Sequence, residues 1–484
     1  MLKASGFLRS LGALACACTF HFSVLALDVP ATLDPIKLKD IPSFKPLTMS
    51  ELPDLMLEVE TRPTKKGKVH VNGLLTTINY TEFEKCEPAC KEMLIKLEPA
   101  DTGFLKTIEV RLFLQNGKAP LAVTLLGFNE PANDKAARAW QSYLYDAGCH
   151  VLSFDSLIRN NMNEATGHGV AGNFIEESRL VAKIIEATLD KRIRGDAPIR
   201  PKVSSVRLLG TSYGGLLAAQ CLREPEALLW PLDRVLILST PLNMQVAAKR
   251  LDTFAREDKP FFGVLALAKL LNGYTPREAM PSAKEEALMR AGIGYVFHGD
   301  LQALAKSNIS RYAPEIPEKL KALEEQPEQR ELYEDVLAAQ KTRHAEEQKE
   351  LESRRDSMGK DEYEKAKREL HDTHKVQQLV AKRKASDVME WNFNDYVFLL
   401  LKPYWKLKRG ESTAVTLPDV IKGAPNFVQA FIAADDPLNE APEVQKLQNE
   451  LKGNQLTIIP HGGHLGFTGT KWCAELVKKF FAAK

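Results

Sequence analysis

An excess of charge of either sign is missing from this chain: 65 lysines and arginines stand against 63 aspartates and glutamates in 484 residues, a formal net charge of +2. That balance excludes a protein working chiefly by neutralising nucleic-acid phosphates, which needs a clustered basic surplus. Cysteine is scarce, with seven in all, and no Cys or His spacing suits a metal ion. No cofactor is expected. Beyond the N-terminus there is no apolar run of membrane-spanning length; "FFGVLALAKLLNGY" is short and carries Lys269. What the chain does have is an ordinary globular mixture, 44% hydrophobic and 26% charged. Its length exceeds what one simple core holds, so one large domain with a substantial insertion, or two domains, is expected.

The opening "MLKASGFLRSLGALACACTFHFSVLALDVP" has a basic lead in Lys3 and Arg9, an apolar stretch from Leu11, and small residues around Val24 to Ala26. This is the pattern of a cleaved signal peptide over residues 1–26, which implies a secreted or periplasmic protein. An uncleaved membrane anchor and lipidation at Cys16 are the weaker alternatives. Cys86 and Cys90 in "KCEPACK" enclose Pro88, which favours a turn, and in an oxidising compartment they form a plausible disulfide. Cys149, Cys221 and Cys473 sit in apolar settings and are expected as buried thiols.

Residues 27–67 are rich in Pro and Lys and read as a loosely ordered lead-in. From 68 to 242, strands alternate with helices: "KVHVNGLL", "KTIEVRLFL", "PLAVTLLGF", "CHVLSFD", "SSVRLLG" and "DRVLILSTP" read as strands, while "DKAARAWQSYLYDAG" and "FIEESRLVAKIIEATLDKRI" have helical spacing. This is the sign of a mostly parallel sheet flanked by helices. The alternation stops over 243–420, a helical insertion expected to lie as a lid. Within it, residues 315–385 form a densely charged run with the turn-like "DSMGKD" in the middle. A helical hairpin with arms of roughly 35 to 45 Å follows at 1.5 Å per residue, either a solvated face or a partner-binding arm. Alternation resumes over 421–484 and completes the sheet.

The segment "VRLLGTSYGGLLAA" places Ser212 in a G-x-S-x-G pattern between a strand and a helix. In that setting the serine rides a cramped turn, and the glycines are there because side chains would strike neighbouring segments. A hydroxyl is a weak nucleophile, so it needs a base, and the base needs an orienting carboxylate. "FIAADDPLN" offers Asp435 and Asp436 after one later strand, and "IIPHGGHLGF" offers His461 and His464 after the next. The interval from Asp436 to His464 fits one loop, helix and strand, which returns both to the same sheet edge.

With "GTSYGG", "AADDPL" and "GGHLGF" in this order, the chain resembles the α/β-hydrolase superfamily over nearly all of residues 68–484 except the charged run. Within it, "NDYVFLLLKPYW", "LPDVIKGAPNFVQAFIAADDPL" and "HGGHLGF" look like the YheT-like, embryogenesis-associated branch. The chain departs from that branch at Tyr213, where Leu is common, and at Leu216, where Asn is frequent. The resemblance implies an α/β-hydrolase fold with Ser212 as nucleophile, His464 as base and then acid, and Asp436 as the orienting carboxylate. Asp435 and His461 become hydrogen-bonding neighbours. It also implies an oxyanion hole made from the backbone N–H of Tyr213 and one from Phe128, with Asn129 the alternative, while Asp155 at another strand end is structural.

Three functions are open on these grounds. The first is a secreted serine esterase or thioesterase acting on a small-molecule or lipid-like ester, with "FFGVLALAKLL" and "YVFLLLKPYW" lining an acyl pocket or simply forming core. The second is an amide or peptide hydrolase with the same triad. The third is a non-catalytic binding protein that uses the charged hairpin to hold a protein partner.

Overall fold

Predominantly apolar runs become the middle of one sheet. In the computed structural model, the described residues are 63–64, 67–68, 88, 91–167, 169–191, 198–223, 232–256, 283–312, scattered positions between 348 and 367, 391–406, 416–422, 424–425, 427–450, 456–460 and 462–482. The signal-like segment, both Cys86 and Cys90, His461 and most of the charged run lie outside them.

The strands are β1 (Met93–Leu97), β2 (Ile108–Phe113), β3 (Ala119–Leu125), β4 (His150–Ser153), β5 (Val203–Thr211), β6 (Leu232–Leu238), β7 (Val428–Ala433) and β8 (Leu456–Ile459). They form one eight-stranded sheet in the order β1-β2-β4-β3-β5-β6-β7-β8. β2 runs antiparallel to both β1 and β4, and the pairings from β4 through β8 are parallel. β3 and β7 are buried at every position, and β5 at all but Ser204, as expected of strands covered on both faces. The architecture fits the α/β-hydrolase fold. A two-residue ribbon, Pro63–Thr64 with Gly67–Lys68, stands apart from the sheet, and "KVHVNGLL" otherwise falls outside the described residues.

Helices α1 (Lys135–Asp146), α2 (Phe174–Asp190), α3 (Tyr213–Arg223), α4 (Met244–Arg256), α5 (Ala283–Tyr312), α6 (Ala441–Glu450) and α7 (Lys471–Phe481) make up the larger helical elements. Trp140 and Leu144 of α1 join Trp472, Val477 and Phe480 of α7 in one cluster with Leu209, Leu236 and Phe431 of the sheet. Adjacent residues of a strand point to opposite faces. Gly215 of α3 lies against Ile237, so α3 covers the face opposite to that cluster.

Two buried arginines fasten the last helix. Arg207 grips Asp233 through Nε (2.8 Å) and a terminal nitrogen (2.9 Å), and donates to the Phe481 carbonyl (2.5 Å). Arg234 donates to the Phe480 carbonyl at 2.6 Å. Burial pushes the neighbouring Cys149 thiol up to about 11, against the pull of Arg207. It is therefore an unreactive packing group.

His150 is a buried structural clamp. Its Nδ1 accepts from the Gln115 N–H at 3.0 Å, so the proton is on Nε2, which donates to the Lys202 carbonyl at 3.0 Å. Burial holds its pKa below the ordinary histidine value. The unfolded chain therefore takes up a proton first as pH falls, so this clamp's contribution is complete above about pH 6.5 and declines below it. His150→Ala strands two buried backbone groups and is expected to cost about 1–3 kcal/mol at neutral pH. Denaturant melts at several pH values should also show a shallower loss of stability on acidification than in the wild type. An unchanged midpoint at neutral pH contradicts the clamp.

By its internal contacts the chain divides into two units: residues 1–167, 174–295 and 414–484 with the sheet, and residues 168–173 with 296–413. In the second unit, Tyr396 Oη donates to the Ala171 carbonyl at 2.7 Å and Trp405 Nε1 to that of Val170 at 2.8 Å. Asn308 donates to the same Tyr396 hydroxyl. Val397–Leu401 is wound as a π-helix. In the charged run, Tyr363 Oη reaches Glu352 at 2.5 Å, two residues that a continuous helix would hold about 16 Å apart.

Candidate active site

The site is built from the C-terminal ends of β3, β5, β7 and β8, where parallel strands leave backbone and loops to converge. β5 ends at Thr211 and α3 begins at Tyr213. The single residue between them, Ser212, has φ of 51°. A serine in that left-handed region costs on the order of 1–3 kcal/mol and persists where its surroundings enforce it. Two backbone bonds do so: the Ser212 N–H donates to the Leu238 carbonyl (3.0 Å), and the Ser212 carbonyl accepts from Gly215 N (3.0 Å).

The glycine after Tyr213 is required by close approach. A Cβ at Gly214 would be driven into the backbone of Leu125 and stand 2.6 Å from the Leu126 carbonyl oxygen. The elbow is thus pressed against the end of β3 and the loop that follows. Gly214→Ala must separate the two, and is expected to cost roughly 1–3 kcal/mol or more. A thermal melt matching the wild type contradicts that packing.

Ser212 Oγ lies 2.8 Å from His464 Nε2, and His464 Nδ1 lies 2.8 Å from Asp436 Oδ2. An ionised carboxylate can only accept, so Nδ1 carries the proton and Nε2 offers its lone pair to the serine hydroxyl. All three residues are buried, at 6%, 4% and 2% exposure for Ser212, His464 and Asp436. The low dielectric of such a setting strengthens the chain of bonds.

The acid loop after β7 is held through several contacts. Asp436 Oδ1 accepts from Leu438 N at 2.8 Å, Asn439 Oδ1 accepts from Leu242 N at 2.8 Å, and Arg250 Nε donates to the Pro437 carbonyl at 2.5 Å. Its neighbour Asp435 turns the other way. Asp435 Oδ1 accepts from Gly463 N at 2.8 Å, tying the base loop to the acid loop. Gly463 has φ of 55°, and Leu465 after the histidine has 64°. Leu465 N donates to Ser239 Oγ at 2.7 Å, so residues on both sides of His464 are anchored.

The structure therefore brings Ser212, Asp436 and His464 into bonded order. It also sets Phe128 beside Tyr213, their rings edge-on at 6.1 Å. Tyr213 Oη donates to buried Glu177 of α2 at 2.7 Å, and its ring packs on Phe174 at 4.5 Å. Asp155, the acid at another strand end, accepts from Ala132 N at 2.8 Å and pairs with Arg159 at 3.4 Å. Asn129, the alternative donor, has φ of 55°, and its carbonyl accepts from Arg159 at 2.8 Å. Ser239, Asn439 and Glu177 have no signal in the sequence, since each acts through a bond to a residue far along the chain.

Among the described residues there is no group of His, Cys, Asp and Glu arranged to hold a metal ion, and no helix long and apolar enough to cross a membrane.

No protein-family model matches the chain, and no curated protein matches it. Among solved structures it is similar to Est1E from Butyrivibrio proteoclasticus, at 14% identity and a TM-score of 0.23, over 33% of this chain and 55% of that one. It is similar to a hyperthermophilic esterase from the archaeon Pyrobaculum calidifontis, at 12% identity and a TM-score of 0.32, over 85% and 91%. A proline iminopeptidase-related protein from Thermus thermophilus matches at 13% identity and 0.34, over 81% and 98%. The chain thus spans little more than half the length of Est1E.

Proposed function

We propose that this chain is an α/β-hydrolase-type serine hydrolase that cleaves a carboxylic ester or thioester through an acyl-enzyme. The observation that carries the reading is the buried chain from Ser212 Oγ through His464 to Asp436, both links at 2.8 Å. In the proposed reaction Ser212 Oγ attacks the carbonyl carbon as its proton passes to His464 Nε2, and Asp436 stabilises the resulting imidazolium. The N–H groups of Tyr213 and Phe128 take the oxyanion. Its collapse breaks the bond to the alcohol or thiol, which leaves with the proton from His464. Water then attacks the acyl carbon, gives its proton to His464, and the acid departs as the proton returns to Ser212.

The quoted motifs support the finer placement in the YheT-like branch, and the N-terminal pattern supports a secreted or periplasmic location. Residues 315–385 serve as a partner arm under this reading, separable from the chemistry. The test is a panel of p-nitrophenyl esters of increasing chain length beside peptide p-nitroanilides. Ester turnover well above anilide turnover is expected. Anilide cleavage at comparable kcat/KM makes the protein an amidase, and no turnover of either class favours the binding-protein reading.

A further inference from the structure

We infer that Glu130 is a positioning residue for the oxyanion hole: its carboxyl, bonded to the Gly127 N–H, holds the loop after β3 in the turn that sets Phe128 beside Tyr213. The inference rests on the serine-hydrolase reading.

The geometry is local and specific. Gly127 N donates to Glu130 Oε2 at 2.8 Å, and Glu130 N donates back to the Gly127 carbonyl at 3.3 Å, closing a four-residue turn that contains Phe128. A Cβ built on Gly127 would stand 3.0 Å from Glu130 Oε2 and 3.6 Å from Ser212 Cβ. The turn, the carboxyl and the nucleophile therefore pack against the same point. Outside the turn, the Glu130 carbonyl accepts from Ser156 N at 3.0 Å. The bond from Arg159 to the Asn129 carbonyl fastens the next residue.

The protonation state matters because of what the loop faces. A carboxylate here would set a full negative charge beside the place where the carbonyl oxygen gains its own, opposing the transition state. A carboxylic acid accepts the same N–H bond without that charge. The ionisable groups around it are Asp134 at the N-terminus of α1, Asp155 and Arg159 after β4, and His464 across Ser212. Burial pushes Glu130 up to about 8, the Asp134 charge adding to it and the Gly127 N–H opposing. Burial likewise lifts Asp134 to about 6. Burial and the neighbouring Asp134 charge thus both resist ionisation of Glu130.

The experiment is the pH profile of kcat, with KM, from about pH 6 to about pH 9.5. It compares the wild type with Glu130→Gln, Glu130→Ala and Asp134→Asn on a p-nitrophenyl ester, beside the rate of fluorophosphonate labelling. Wild-type kcat is expected to fall above about pH 8. Glu130→Gln keeps an acceptor but cannot ionise, so it should hold most of the neutral-pH kcat and stay flat across the alkaline range. Glu130→Ala loses the acceptor, and its kcat should drop by roughly tenfold to a hundredfold with little change in KM. Asp134→Asn retains a helix cap and removes a like charge, so the fall should move to lower pH. An alkaline limb in Glu130→Gln like that of the wild type, or full kcat in Glu130→Ala, overturns the inference while leaving the hydrolase reading intact. Should Glu130→Ala fail to fold by thermal melt, the Gln and Asp134→Asn profiles decide. A wild type that neither labels nor turns over ester refutes the hydrolase reading and this inference with it.

Discussion

Ser212→Ala and His464→Ala are each expected to lower kcat by on the order of 10⁶-fold, and the double variant by no more than either alone. The reason is the shared bond. Ser212 Oγ and His464 Nε2 sit 2.8 Å apart, and neither can perform its part without the other, since the hydroxyl reacts only as its proton leaves. Both side chains are buried, and Ser212→Ala removes an oxygen without opening a large cavity, so the fold should stand. Steady-state and single-turnover kinetics on one ester check this. Multiplying losses in the double variant would mean that the two residues act separately and would sink the triad. His461→Ala, on a position outside the described residues, is expected to matter far less.

Asp436→Asn is the second large effect, with an expected fall in kcat on the order of 10⁴-fold. Asp436 accepts from His464 Nδ1 at 2.8 Å on one oxygen and from Leu438 N at 2.8 Å on the other. The amide retains the shape but can turn its NH₂ toward Nδ1, which favours the opposite tautomer and leaves Nε2 protonated toward the serine. Asp435→Asn provides the contrast. Its Oδ1 bonds Gly463 N, an acceptor role that an amide oxygen can fill, so the loss should be modest. Comparable losses in the two variants would mean that the assignment of the acid is wrong.

Much of the site can be read from the chain because its chemistry sits at strand ends. Ser212 is marked by glycines whose reason the fold makes concrete: a side chain at position 214 meets the Leu125 backbone. Asp436 and His464 are marked by following consecutive strands, which parallel pairing of β7 with β8 brings to one edge. The supporting bonds are not legible. Glu177 meets Tyr213 only because α2 packs beside α3, and Ser239 meets Leu465 only through the sheet order. Glu130 leaves no trace because a lone glutamate in a loop carries no pattern; its partner is a backbone N–H three residues back. β1 escapes a sequence reading as a short edge strand, with Ile95 and Leu97 buried and Lys96 exposed. The Tyr213 phenol has a specific partner in Glu177.

The most direct measurement is fluorophosphonate labelling of the purified protein, with the modified peptide located by mass spectrometry. A single adduct on Ser212 is expected in the wild type, none in Ser212→Ala, and slow labelling in His464→Ala. Labelling that persists in Ser212→Ala, or a wild type that takes up no probe while fully folded, contradicts it.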